Sequence, residues 1–117
     1  MKKILLTILL LAGCSAHANE TLDVSLNASK SELEAFEPVT ITATVMYNSE
    51  PIEDDVEIEF ELINPTGNTI GSVKPDYRGD GKYSIETSFD GTGTYKVVSH
   101  VSYGDLHEMP EIEVKLK

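Results

Sequence analysis

The sequence predicts an all-β protein folded as an antiparallel sandwich. Three observations predict it. Apolar residues recur at every second position through most of the chain, the period of a half-buried strand. Turn-forming residues separate these runs at intervals of roughly 8–12 residues. Beyond residue 21 no stretch sustains a helical period, and Ser31 to Phe36 allows one helical turn at most.

Leu22, Val24 and Leu26 alternate with Asp23, Ser25 and Asn27. A Ser- and Glu-rich stretch runs to Pro38. Val39, Ile41, Ala43, Val45 and Tyr47 then share one face, with Thr40, Thr42, Thr44 and Met46 on the other. Val56, Ile58, Phe60 and Leu62 alternate with Glu57, Glu59 and Glu61. Asn64-Pro65-Thr66-Gly67-Asn68 is a turn cluster, followed by a short strand from Ile70 to Lys74 and a turn from Tyr77 to Gly81. Tyr83, Ile85, Thr87 and Phe89 make the next strand, and Asp90-Gly91-Thr92-Gly93 is the strongest turn signal. Tyr95, Val97, Ser99, Val101 and Tyr103 line a long strand, Gly104 to Pro110 reads as a loop, and Ile112, Val114 and Leu116 form the last strand. That is about seven strands in one domain, residues 22–117.

The segment around Tyr95 narrows the architecture. In immunoglobulin-like sandwiches a tyrosine stands at the corner before strand F, two residues ahead of a core cysteine. Tyr95 and Val97 occupy those two places, after the turn Gly91-Thr92-Gly93. A buried tyrosine after a glycine turn would give the same sandwich. The expected fold is an immunoglobulin-like antiparallel β-sandwich held by burial and backbone ladders, without a disulfide.

The first residues are of another kind. Lys2 and Lys3 precede a short apolar run, Ile4 to Leu11, far below the ~20 residues a spanning helix needs. It reads as the core of a signal peptide, residues 1–13. Leu11-Ala12-Gly13-Cys14 resembles the lipobox of bacterial lipoproteins, in which the cysteine is diacylglycerylated and the chain is cut just before it. Cys14 is the only cysteine, so no disulfide accounts for it. Residues 15–21 then read as a linker. Ala16-His17-Ala18 offers a second cut site, after which the protein would be released rather than anchored. The expected location is the outer face of the plasma membrane or the periplasm, lipid-anchored through Cys14, with a secreted or periplasmic form as the alternative.

Beyond residue 13 seven basic residues face twenty acidic ones, a charge of −13. Such a surface repels nucleic acid and anionic headgroups and favours cationic partners. There is no nucleophile elbow, no P-loop and no dinucleotide-binding glycine motif, so no catalytic site is expected. Glu57, Glu59 and Glu61, like Glu111 and Glu113, read as solvated faces. Asp76, Asp80, Asp90 and Asp105 lie at turns without the spacing of a calcium loop.

Histidine and methionine are the unusual residues. His100 lies on the long strand, on the face opposite Val97 and Val101. His107-Glu108-Met109 follows closely, and an extended H-x-M triplet puts both donors on one side. If the strand from Val39 is strand B and that from Thr94 is strand F, both end at the same tip, which brings in Met46 on the Thr face. Met46 could cap the sandwich edge there or supply a thioether. Imidazole with thioether suits copper, above all Cu(I). The candidate ligands are His100, His107, Met109 and Met46. The same residues could also simply pack a loop.

The stretches Gly79-Asp80-Gly81-Lys82-Tyr83-Ser84, Phe89-Asp90-Gly91-Thr92-Gly93-Thr94-Tyr95, Ser99-His100-Val101-Ser102 and Leu106-His107-Glu108-Met109-Pro110 resemble the YtkA-like domain. Glu37-Pro38-Val39-Thr40-Ile41 and the turn at Glu50-Pro51-Ile52 fit it as well, so the resemblance covers most of residues 37–117. It implies a lipoprotein related to FixH-type domains of respiratory oxidase assembly. It also implies a role in cytochrome c oxidase biogenesis, with copper supply to the CuA centre, and carries over His100, His107 and Met109 as ligands. Residues 64–80 lack the further His or Met common in the family. The expected function is thus a copper metallochaperone whose partner is a respiratory oxidase subunit or another copper chaperone. The alternative is a non-metal, protein-binding module at the cell surface.

Overall fold

The computed structural model describes residues 20–117. The expected signal peptide, Cys14 and all of the linker but Glu20 and Thr21 lie outside the described residues. Among these residues the chain forms strands and no helix: β1 (Leu22–Ala28), β2 (Glu32–Leu33), β3 (Val39–Tyr47), β4 (Glu50–Pro51), β5 (Val56–Ile63), β6 (Thr69–Val73), β7 (Asp76–Gly79), β8 (Lys82–Thr87), β9 (Gly93–Tyr103), β10 (Leu106–Glu108) and β11 (Glu111–Leu116). The seven of five residues or more are the seven that alternation predicts. The other four are too short to show a period, and they fall in stretches that read as loop or turn.

The strands form two sheets. One has the order β1-β3-β8-β7, with β4 on the end of β3. The other has the order β2-β11-β9-β5-β6, with β10 on the far end of β9. Every pairing is antiparallel except that of β2 with β11. This is the predicted immunoglobulin-like sandwich.

Inner faces supply the core. Val39, Ile41, Ala43 and Val45 of β3 and Ile85 of β8 are buried on one side. Ile58, Phe60 and Leu62 of β5, Val97 and Val101 of β9, and Val114 and Leu116 of β11 are buried on the other. Each of the valines, leucines, isoleucines and Phe60 contributes about 1.5–3 kcal/mol by leaving water, the Ala43 methyl less. The tyrosine corner is present: the Tyr95 hydroxyl donates to the Gly91 carbonyl at 2.9 Å and accepts from the Gly91 amide at 3.1 Å. Phe89 stacks on Tyr95 with ring centroids 4.4 Å apart, which closes that end of the core. At the other end the rings of Tyr47 and Tyr103 meet at 4.8 Å, so β3 and β9 do run to one tip.

One turn departs from expectation. Tyr77 to Gly81 reads as a turn, but Asp76–Gly79 is a strand paired with β8, anchored by the Tyr77–Tyr83 ring contact at 4.9 Å. The turn itself is Asp80-Gly81, both with positive φ (53° and 77°), the Asp-Gly pair a type I′ hairpin favours. A Cβ at Gly81 would lie 2.7 Å from the Val45 carbonyl oxygen, so this turn packs on β3 only as glycine. Tyr83 fixes the neighbouring loop by donating to the Ile52 carbonyl at 2.7 Å. Burial pushes its phenol up to about 12, so it remains a donor throughout the physiological range.

Ser99 is the one buried side chain that breaks the apolar pattern of β9. It is fully buried, and its Oγ has no hydrogen-bond partner among the described residues. An orphaned buried hydroxyl opposes folding by about 1–3 kcal/mol. Ser99→Ala is therefore expected to raise stability by about 1 kcal/mol, or a melting temperature higher by roughly 4–8 °C for a domain of this size. A calorimetric scan that finds the variant less stable than wild type would show that the hydroxyl is satisfied.

Candidate functional site

Strand β9 is the axis of the site. Its inward positions hold Tyr95, Val97, Ser99 and Val101, so Lys96, Val98, His100 and Ser102 stand on the outer face of the second sheet. On one side β5 places Glu57 opposite Ser102, Glu59 opposite His100 and Glu61 opposite Val98. On the other side β10 places His107 opposite Ser102 and Glu108 opposite Val101.

The segment expected as a loop, Gly104 to Pro110, contains a three-residue strand, Leu106–Glu108, with Met109 and Pro110 outside it. Only Gly104 and Asp105 form the turn. Gly104 has φ 61° while Asp105 is not in the positive-φ region, which fits a two-residue type II′ hairpin. Past the turn, β10 and β11 keep one register with β9. Glu108 faces Val101 and Glu111 faces Val98, so the two residues between, Met109 and Pro110, fall opposite His100 and Ser99. The Ser99 amide donates to the Pro110 carbonyl at 2.9 Å. Proline has no N–H to return, and the ladder is interrupted at that point.

His100–Met109 and Ser102–His107 therefore flank hydrogen-bonded pairs and are themselves non-hydrogen-bonded pairs, the kind whose side chains lie closest. Their Cβ atoms are expected about 4.5–5.5 Å apart across the strands, with diagonal neighbours at about 7–8 Å. The structure thus brings His100, His107 and Met109 to one face. Met109 is 64% exposed, so its thioether meets water. The depression along this face is open and is lined by Glu57, Glu59, Lys74, His100 and Ser102.

Met46 does not belong to this group. It lies on the outer face of the first sheet, between Asp23 of β1 and Pro51 of β4. The ends of β3 and β9 do meet, but alternation turns Tyr47 toward the second sheet and Met46 away from it. The thickness of the sandwich, about 10 Å between sheets, then separates Met46 from His100. The turn aspartates do not converge either: Asp90 precedes β9 and Asp105 follows it, at opposite ends of the strand.

Sequence reasoning missed the partners of the two histidines. His100 Nε2 lies 2.9 Å from Glu61 Oε1, and Thr69 Oγ1 donates to Glu61 Oε2. These bonds, Thr69 first and His100 second, hold the Glu61 carboxyl below the usual carboxylate range. Glu61 reads as part of a solvated face because its partners lie at sequence separations of 8 and 39. The signal was the equal alternation of β5 and β9, which brings a glutamate row beside the histidine face. His107 Nδ1 lies 2.9 Å from Ser102 Oγ. His100 Nδ1 and His107 Nε2 make no hydrogen bond among the described residues.

Among the described residues, no group of three or more His, Cys, Asp and Glu side chains is arranged to hold a metal ion. Two imidazoles and a thioether form a different donor set, one suited to a soft ion rather than to calcium or magnesium.

The chain belongs to the YtkA-like family, whose model matches residues 16–100. His100 is the last residue matched, so His107 and Met109 stand just beyond the matched span. None of the curated proteins matches the chain. Solved structures share the fold. An engineered protein superposes with a TM-score of 0.62 at 15% identity, over 86% of this chain and 20% of its own. The chain therefore spans about a fifth of that protein's length. A superoxide reductase (neelaredoxin) from Ignicoccus hospitalis gives 0.52 at 18% identity, over 87% of this chain and 85% of its own. The PmoD soluble domain from Methylocystis sp. ATCC 49242 (Rockwell) gives 0.51 at 15% identity, over 80% and 90%. At these identities each likeness is one of fold alone.

Proposed function

We propose that this YtkA-like protein is a copper-binding, lipid-anchored assembly factor that holds Cu(I) outside the plasma membrane and delivers it during assembly of a respiratory cytochrome c oxidase. The observation that carries the reading is the shared register of β9 with β10 and β11, which sets Met109 opposite His100 with His107 two residues away. Two imidazoles and an exposed thioether match the preferences of a soft cuprous ion. Family membership and the lipobox at Cys14 support the same reading.

The mechanism is ligand exchange. The donors stand on an open sheet face, so an acceptor can approach the ion before the donor side chains let go. The acceptor is an oxidase subunit or another copper chaperone. A lipid on Cys14 would confine donor and acceptor to one membrane surface and raise their effective concentration. No side chain is assigned a catalytic role. A second reading, a protein-binding module without metal, draws on Phe36 and Ile70, which are exposed at 72% and 52% and line one depression with Phe89 and Tyr95.

Titration of the full-length chain in detergent with Cu(I), against a competing chelator, tests the reading. Wild type is expected to bind one ion. The His100→Ala, His107→Ala, Met109→Ala triple variant should bind at least about 100-fold more weakly, since losing a mere supporting contact at a metal site already costs about 10–100-fold. Met46→Ala should bind like wild type. Affinity should weaken as pH falls, because protons compete for the imidazole nitrogens. Equal binding by wild type and the triple variant overturns the copper reading and favours the protein-binding module. The tether has its own test: Cys14→Ser should shift the protein from the membrane fraction to the soluble fraction. A Cys14→Ser chain that stays with the membrane would contradict lipidation.

A further inference from the structure

We propose that Glu61 is a positioning residue for His100, fixing its imidazole so that Nδ1, and not Nε2, is the nitrogen presented to a metal ion. The inference rests on the copper reading above and assigns the geometry of its first ligand.

An ionised carboxylate only accepts hydrogen bonds. At 2.9 Å from Glu61 Oε1, His100 Nε2 must therefore carry the proton. In the neutral ring the lone pair then sits on Nδ1, which makes no hydrogen bond among the described residues. Glu61 is not free to follow the ring. Thr69 of β6 donates to its other oxygen, Oε2, so the carboxylate is held between β6 and β9. Three adjacent strands supply the three groups, and sheet register sets their spacing. Metal-bound histidines characteristically donate their second ring N–H to a carboxylate, which fixes the tautomer and strengthens the ligand.

His107 is arranged differently. Its Nδ1 lies 2.9 Å from Ser102 Oγ, and a hydroxyl donates or accepts with equal ease. Both tautomers of His107 are therefore satisfied, and the ring can offer Nε2. The two imidazoles differ in kind: one is preset through Nδ1, close to the sheet, and the other adapts through Nε2 at the end of its ring. Lys74 and Glu59 also border His100, but His100 makes no hydrogen bond with either.

Nitrogen-detected NMR of the metal-free, full-length chain in detergent reads the tautomers directly, and Cu(I) affinity of the same samples gives the consequence. In wild type, His100 is expected as a single Nε2–H tautomer. Glu61→Ala should leave a mixture of tautomers at His100, no change at His107, and a Cu(I) affinity about 10–100-fold lower. Glu61→Gln, whose amide oxygen still accepts from Nε2, should keep the tautomer and most of the affinity. Thr69→Ala should fall between the two. Backbone amide spectra identify any variant that has lost the fold, and the glutamine variant carries the test in that case. An unchanged tautomer in Glu61→Ala overturns the proposal, as does a changed tautomer with unchanged affinity. If wild type itself takes up no Cu(I), the copper reading falls and this inference with it. If wild type and Glu61→Ala bind equally well, only this inference falls.

Discussion

The Ser99 amide donates to the Pro110 carbonyl, and this bond carries the register of β9 across the break between β10 and β11. On that register depends where the sulfur and nitrogen donors stand. Strand side chains alternate strictly, so a slip of one residue would move every donor to the other face. The short Gly104-Asp105 turn sets the register from one side, and the Ile112–Val97 and Val114–Tyr95 pairs set it from the other. Core packing fixes the latter, since Val97, Val114 and Tyr95 are all buried. The geometry of an exposed face is thus determined by burial beneath it.

The two outer faces of the sandwich differ in chemistry. That of the first sheet carries Thr40, Thr42, Thr44 and Met46 on β3 beside Asp23, Ser25 and Asn27 on β1. That of the second carries a glutamate row on β5, imidazoles on β9 and β10, and an exposed thioether. The glutamates and the overall charge favour cations in general and raise their local concentration. Selection for a soft ion has to come from the sulfur and the imidazoles, because carboxylates suit harder ions. Lysines 74 and 96 break the acidic field near the face, and Lys96 pairs with Glu111 at 3.6 Å, both side chains about half exposed. An exposed pair of this kind contributes little to stability.

Much of this was legible in the sequence. Alternation over five or more residues located all the long strands, and the Gly91-Thr92-Gly93-Thr94-Tyr95 segment gave the tyrosine corner. The short strands were not legible because two to four residues have no period. Met46 was read on the Thr face and stands there, but a shared tip does not bring that face round to the donors on the second sheet, and its neighbour Tyr47 makes the contact across the core. His107 and Met109 were read as one extended triplet; His107 lies in β10, and Met109 lies just past its end, between β10 and β11. Alternation pointed to the glutamate row beside the histidine face but not to Glu61 in particular. The bond between Glu61 and His100 needs the offset between β5 and β9, which depends on how the turns close and not on either strand alone.

X-ray absorption at the copper edge of the Cu(I)-loaded, full-length chain tests the shared face most directly. The arrangement of His100, His107 and Met109 predicts one sulfur at about 2.3 Å and two nitrogens at about 2.0 Å. The sulfur shell should vanish in Met109→Ala and persist in Met46→Ala. A spectrum without sulfur, or a sulfur shell that survives the loss of Met109, would contradict the placement of these donors around one ion.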